Sequence, residues 1–324
     1  MKVLFLSPPQ KDKMFPSLGI AYLVAVLNNI GHNALLNDGA EMNLKQMLDY
    51  VKKVNPDIVG ITMNTTNRFE GLNLAKEIKR KFNIPIILGG PHPSLLPDQL
   101  LKNYKYVDFI VKNEAEKTIV EFIGALENKK DLKKVSGISY REKGKIIHNP
   151  LAEEIKNLDD LPFPEWKFFD LKKYSKQEEY PKEFEKYPVG SIISSRGCPF
   201  RCTFCSSSSL WGHRIRFRSA ENVLKEIKML YELGIRFFVY NDDNFTSDRK
   251  RAIEICGLMI KEDLHKKMGW QCRAEVNLMD DELVSWMKKA NCNMIEFGVE
   301  DCSPEGIRWF KKGHTHEQVK KAFE

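Results

Sequence analysis

Short apolar runs alternate with amphipathic stretches along most of the chain. Residues 3–6 are apolar and end at Ser7-Pro8-Pro9, and residues 18–29 carry apolar positions at helical spacing as far as Gly31. The pattern then repeats, predicting strands over 34–36, 57–62, 84–88 and 107–111 and helices over 44–54, 70–82, 98–103 and 116–126. Continuous apolar strands separated by amphipathic helices predict a parallel sheet covered on both faces. Ligands of such sheets bind beyond the carboxyl ends of the strands. Residues 128–134 interrupt the pattern with charge, and 135–147 read as a small hairpin around Lys143-Gly144. Residues 158–186 are rich in Pro, aromatic and charged residues, a linker whose aromatics are too apolar to stay in water and are expected to pack. Alternation resumes with strands over 189–194, 236–240, 270–274 and 294–299 and helices over 220–233, 248–263, 281–290 and from 315. Four β–α units in a row predict a barrel-like sheet, although four strands cannot close a barrel. The last helix reaches Glu324 without a Gly or Asn stop signal, so the sequence reads as a fragment. The expected fold class is α/β, with a doubly wound domain over 1–130, a hairpin and linker over 131–187, and an incomplete (β/α) barrel over 188–324.

Composition narrows the class. The 324 residues suit about two domains. Lys and Arg number 51 and Asp and Glu 44, a net charge of +7, too mild to indicate a nucleic-acid partner without a clustered patch. No run of 18 or more apolar residues predicts a membrane span. The opening MKVLFLSPPQ has too short an apolar run for a signal peptide. Seven cysteines, an odd number with three inside eight residues, argue against a secreted disulfide framework. They point to a reducing, cytoplasmic setting and a metal site.

Those three are Cys198, Cys202 and Cys205, spaced C-x3-C-x2-C in RGCPFRCTFC, on a loop at the carboxyl end of a predicted strand. Three thiolates on one short loop can hold three corners of an iron–sulfur cluster and leave the fourth iron open to a chelating substrate. Two alternatives stand beside this. Structural zinc would need a fourth ligand, for which His213 is the nearest candidate, and zinc motifs usually show paired cysteines. A redox pair of Cys202 and Cys205 would leave Cys198 without a purpose. Cys256, Cys272, Cys292 and Cys302 show no metal spacing and read as packed or surface thiols.

The triplet, with the aromatic Phe204 just before its last cysteine, resembles the radical S-adenosylmethionine (SAM) enzymes. The resemblance implies a 4Fe–4S cluster on Cys198, Cys202 and Cys205, with the SAM amino and carboxylate groups on the unique iron. An electron from the cluster would cleave the sulfonium to methionine and a 5′-deoxyadenosyl radical, which abstracts hydrogen from an unactivated carbon. Backbone near Phe204 would meet the adenine. The family's Gly-Gly-Glu-like motif falls on Asp242, Asp243 and Asn244, where carboxylates suit an ammonium partner. Capping of the next helix or turn is the alternative for the two aspartates, although Asp248 lies nearer its start. Arg273 and Glu275 close the third strand of this half and Glu300 the fourth, places suited to a ligand. Arg273 is a candidate for the SAM carboxylate and Glu300 for the ribose or amine, with solvated salt bridges as the alternative. Arg196, Arg201, Arg214, Arg216 and Arg218 around the loop fit either an anionic cluster or a solvated basic edge.

Residues 1 to about 125 resemble the Rossmann-like cobalamin-binding domain of the cobalamin-dependent radical SAM class. The matching texts are Ser7-Pro8-Pro9, GITMNTT at 60–66, GGPHPS at 89–94 and NEAEKTI at 113–119, the last with Asn113 and Ala115 where a G-E-G-E pattern has glycines. The linker text LPFPEW also matches. By this resemblance Ser7, Thr62, Thr65, Thr66, Gly89, Gly90, His92, Glu114 and Glu116 are candidate cobalamin contacts, the two glycines for close backbone approach. No D-x-H-x-x-G occurs, so no histidine is offered in the usual way as lower cobalt ligand. His92 is placed in a turn, with a backbone or supporting role.

A sheet that no longer binds cobalamin is the alternative for the domain. The family core has six β–α units against four here. The expected reaction is cobalamin-dependent radical methylation of an unactivated carbon in a small-molecule or lipid-like substrate, fed by a reductant such as flavodoxin or ferredoxin. Cyclisation or rearrangement, or cofactor binding without turnover, are the alternatives.

Overall fold

The structure is a computed structural model that describes residues 1–11, 13, 15–174 and 181–324. Residues 175–180 of the expected linker lie outside the described residues. The chain divides into two units, one of Met1–Ile155 with Leu161–Lys173 and the other of Lys156–Asp160 with Tyr174–Glu324.

In the first unit, β1 (Lys2–Leu6), β2 (Asn33–Asn37), β3 (Ile58–Thr62), β4 (Ile86–Gly89) and β5 (Phe109–Val111) pair in parallel in the order β2-β1-β3-β4-β5. Leu4 sits opposite Leu35 and Val59, so the apolar centres of neighbouring strands share one register. The crossovers are α1 (Leu18–Asn29), α2 (Leu44–Val54), α3 (Arg68–Phe82), and the pair α4 (Pro91–Leu95) and α5 (Pro97–Asn103); α6 (Glu116–Glu127) follows β5. Helix α2 starts in a capping box, Asn43 accepting from the Gln46 N–H and Gln46 from the Asn43 N–H. The order reverses between β1 and β3, the switch point at which ligands of such sheets bind.

The hairpin is not a free-standing element. Its strands β6 (Ile138–Glu142) and β7 (Lys145–His148) extend the sheet antiparallel beyond β5, with Phe109 opposite Tyr140 and Val111 opposite Ile138. Ile138 and Tyr140 are buried there, and the short charged β7 becomes the edge, which blunts it against further pairing. The linker aromatics pack as expected: Trp166 and Phe169 are buried and meet edge to face.

In the second unit β8 (Val189–Ile192), β11 (Phe237–Tyr240), β12 (Gly269–Ala274) and β13 (Cys292–Phe297) form an open parallel sheet ordered β13-β12-β11-β8. Helices α8 (Ala220–Glu232), α9 (Arg249–Lys261) and α10 (Asp281–Lys289) are the crossovers, and α11 (Pro304–Phe310) and α12 (His316–Phe323) follow β13. This is the partial (β/α) barrel that the pattern predicted. The pattern predicted neither α11 nor two elements at the cysteine loop. A ribbon of two-residue strands, β9 (Ser195–Arg196) against β10 (Arg216–Phe217), pinches off the cysteine loop, and α7 (Ser207–Trp211) lies inside that loop. Tyr240, Phe245 and Trp270 form a buried aromatic cluster with ring centroids 4.4–5.4 Å apart, and the Trp270 indole N–H donates to the Ala290 carbonyl at 2.9 Å. That cluster holds rigid the strand end from which residues 241–244 emerge.

Candidate functional site

The loop of residues 197–215 is tied at its base by the β9–β10 ribbon and capped by α7. Cys198 and Cys202 are half-buried and Cys205 is exposed. The Cys205 sulfur accepts the Ser207 N–H at 3.4 Å. Burial pushes the Cys198 thiol up to about 11, and the other two cysteines act on it electrostatically. Burial also raises Cys202, against the pull of nearby Lys312. Burial that disfavours the Cys198 and Cys202 thiolates when alone suits a metal cluster, which supplies the missing positive charge. Among the described residues no three His, Cys, Asp or Glu gather tightly enough for a single ion. A four-iron cluster asks for a wider triangle, because each thiolate binds its own iron. His213, the candidate fourth zinc ligand, is exposed beyond α7.

Residues 242–244, beyond the end of β11, play three different parts. Asp242 is fully buried, and its carboxylate accepts the Ser194 N–H at 2.6 Å, the Ser194 hydroxyl at 2.5 Å and the Ser195 hydroxyl at 2.7 Å. It is a latch on the strand end before the cysteine loop, neither a helix cap nor a group open to a ligand. Asp243 faces solvent and accepts from the Ser207 hydroxyl at the start of α7. Surrounding protein desolvates its carboxyl and raises its pKa, against the Ser207 bond and Arg273. Asn244 is buried, its carbonyl taken by the Thr246 hydroxyl and its amide nitrogen without a hydrogen-bond partner among the described residues.

Arg273 forms an exposed ion pair with Glu296 (3.1 Å), the salt-bridge alternative weighed from the sequence. Glu275 is engaged by Lys312 at 2.8 Å and by His314 at 3.6 Å. Glu300 is exposed in the left-handed region (φ 64°), with its carboxylate beside Gly298. Phe204 is 53% exposed and meets Phe310 edge to face at 5.5 Å.

In the first unit Ser7, Thr62, Gly89 and their following loops lie at the carboxyl ends of β1, β3 and β4, one edge of the sheet. The Ser7 hydroxyl accepts from buried Lys13 at 3.0 Å; the Lys13 ammonium also reaches the Ser17 hydroxyl (2.8 Å) and the Asp38 carbonyl (2.6 Å). Gly90 caps α4 at φ 92°, where a Cβ would lie 2.7 Å from the Met63 carbonyl oxygen. Gly89 is open, the nearest atom to a Cβ being 3.9 Å away, so a flat ligand can approach its backbone. The Pro91-His92-Pro93 segment, expected as a turn, is the first turn of α4, with Pro91 at its start. His92 is buried, its Nδ1 3.1 Å from the Thr65 hydroxyl, and burial followed by nearby Arg68 lowers its pKa. The Thr66 hydroxyl donates to Asn64 at 2.7 Å. Asn113 adopts φ 56°, a conformation asparagine tolerates, which explains how it replaces a glycine. Glu114 is buried and accepts the Ile155 N–H at 3.0 Å, and Glu116 is buried in the first turn of α6.

Residues 192–324 match the family model of the radical SAM superfamily, and residues 13–123 that of the B12 binding domain. The uncharacterized methyltransferase PH0819 of Pyrococcus horikoshii is 33% identical over 98% of this chain and 69% of its own length. The chain belongs to the cobalamin-dependent radical SAM family. Membership brings the cofactors of the two domains, a 4Fe–4S cluster with SAM, and cobalamin. The anaerobic magnesium-protoporphyrin IX monomethyl ester cyclase of Rubrivivax gelatinosus is 29% identical over 100% of this chain and 60% of its own length. The solved structure of the cobalamin-dependent SAM radical enzyme OxsB shares the fold with a TM-score of 0.79 at 24% identity, over 99% of this chain and 47% of that one. The chain thus spans about half to two thirds of the length of these family members. Among the described residues no helix is long and apolar enough to cross a membrane.

Sequence reasoning missed Ser194, Ser195, Lys312 and His314. The serines directly precede the cysteine motif, which was a usable signal. Lys312 and His314 carry none, since only the fold brings them to Glu275.

Proposed function

We propose that this protein cleaves SAM reductively and methylates an unactivated carbon of a small-molecule or lipid-like substrate. The observation that carries the reading is the cysteine loop, three thiols held within electrostatic reach of one another at the carboxyl end of a parallel strand. When bound, the cluster supplies the electron that opens the sulfonium, and cobalamin carries the methyl group. Cys198, Cys202 and Cys205 hold the irons. Asp243, accessible and beside α7, orients the SAM amino group, and the amide N–H of Asn244, without a partner among the described residues, donates to a SAM oxygen. Arg273 and Glu300 stand at neighbouring strand ends for the carboxylate and ribose, and backbone near Phe204 takes the adenine. In the first unit Thr62, Thr65, Thr66 and Gly89 face the corrin, while Ser7, Gly90, His92, Glu114 and Glu116 hold the loops that present them.

The reductant is a flavodoxin or ferredoxin, and the setting is the reducing cytoplasm. A second reading, radical cyclisation, is favoured by the cyclase name of the Rubrivivax relative. The test is anaerobic reconstitution with iron and sulfide, visible spectroscopy with hydroxocobalamin, then SAM and dithionite. Formation of 5′-deoxyadenosine supports turnover, and a bound cluster that leaves SAM intact overturns it. Label moving from methyl-labelled SAM to an acceptor supports methylation over cyclisation.

A further inference from the structure

The end of α11 and the residues that follow it pack on the cysteine loop. The Thr203 N–H donates to the Phe310 carbonyl at 3.1 Å, and the Thr203 hydroxyl reaches the Trp309 carbonyl at 3.4 Å. A Cβ on Gly313 would lie 3.8 Å from the Phe200 ring. These contacts flank Cys202 on both sides in sequence. They bring in Lys312, whose side chain is only 4% exposed. A buried ammonium needs a counter-charge. Lys312 has one in Glu275 Oε1 at 2.8 Å, and Glu275 is itself only 12% exposed. Among the described residues the second oxygen of Glu275 has no hydrogen-bond partner and lies 3.6 Å from Nδ1 of His314, a side chain with no exposure whose ring nitrogens have no hydrogen-bond partner there either. On the other flank, a Cβ on Gly298 would meet Lys312 Nζ at 3.3 Å and Glu300 Oε1 at 3.1 Å, so the two groups share that space.

A buried cation in the segment packed on the cysteine loop acts on the charge of whatever the thiolates hold. Coulomb interaction at this depth is screened far less than at the surface. We propose that Lys312, anchored by Glu275, is a positioning residue that seats the Cys202 corner of the cluster and raises its reduction potential. The proposal rests on the cluster reading above. Reduction adds one electron from the external reductant and one negative charge to the cluster, with no bond formed or broken. A fixed positive charge therefore favours the reduced state. Glu275 both holds the lysine and moderates it. Neither residue needs to touch SAM.

The test is an EPR-monitored redox titration of the anaerobically reconstituted full chain, with iron and sulfide counted first. Lys312→Met should lower the potential. At a fixed applied potential below half-reduction, the reduced fraction should fall roughly three- to tenfold, about 30–60 mV at 59 mV per decade. Lys312→Arg should restore the wild-type value. Glu275→Gln removes the moderating charge and should move the potential the opposite way. If Lys312→Met loses iron, retention by Lys312→Arg and the upward shift in Glu275→Gln carry the test. Unchanged potentials in both Lys312→Met and Glu275→Gln, or Lys312→Arg behaving as Lys312→Met, overturn the inference and leave the cluster standing. Wild-type protein without iron and sulfide removes the cluster reading and this inference together.

Discussion

The carboxylate of Asp242 accepts the backbone N–H of Ser194 at 2.6 Å, joining the end of β11 to the end of β8. The two serine hydroxyls complete its coordination, and Arg251 donates to the Ser194 carbonyl at 2.9 Å from the far side. Four residues later the chain reaches Cys198. The latch therefore sets where the cysteine loop begins.

Asp242→Asn should destabilise the second unit. The amide turns an N–H toward donors that need an acceptor, in a fully buried site, at a cost of about 2–4 kcal/mol. The urea midpoint should fall, and cluster retention after reconstitution should fall with it. An unchanged midpoint would show that the latch is dispensable.

Gly90→Ala tests the first unit. The residue has φ 92°, and its Cβ would lie 2.7 Å from the Met63 carbonyl oxygen and 2.8 Å from the Thr62 hydroxyl. Both contacts are closer than real Cβ atoms allow, so β3 and β4 must separate. A loss of at least about 2 kcal/mol is expected from strain and collision together. Hydroxocobalamin binding, followed by its visible spectrum, should weaken in the same variant. Gly89→Ala, with its open surroundings, should leave folding intact and affect only the ligand.

His92 makes stability depend on pH. Its pKa is lowered below 6.5 by burial, so folding favours the neutral ring. The unfolded chain then binds more protons below pH 6.5, and the contribution present above that value is lost as pH falls toward the folded pKa. His92→Asn, which cannot titrate, should flatten that part of the profile of urea midpoint against pH. An equal slope in both proteins would remove His92 as its source.

Cys202→Ala should abolish retention of iron and sulfide after reconstitution, because two thiolates leave the cluster without its third anchor. Circular dichroism of the apo protein should be unchanged, as the thiol is only half-buried. Full iron content in this variant would contradict the assignment of the loop.

Elements defined by local periodicity were legible in the sequence. Helices α1 and α2 fall on the expected residues 18–29 and 44–54, because apolar spacing alone marks the buried face of a helix and Gly31 marks the end of the first. The cysteine motif was legible too, since its ligand spacing lies within one loop. Pairings between distant segments were decided only by tertiary structure. Arg196 meets Arg216 across a two-residue ribbon too short to leave a pattern, and Phe109 recruits Tyr140 so that the hairpin extends the sheet. The chemistry of single polar residues followed the same division. Asp242 and Asp243 are neighbours in sequence, yet one is spent inside on Ser194 and Ser195 while the other faces out. Lys312 gained its part only when Glu275, 37 residues earlier, was folded beside it. Hydrophobic periodicity records which side of an element faces inward; the partner of a buried charge is chosen by how the elements pack.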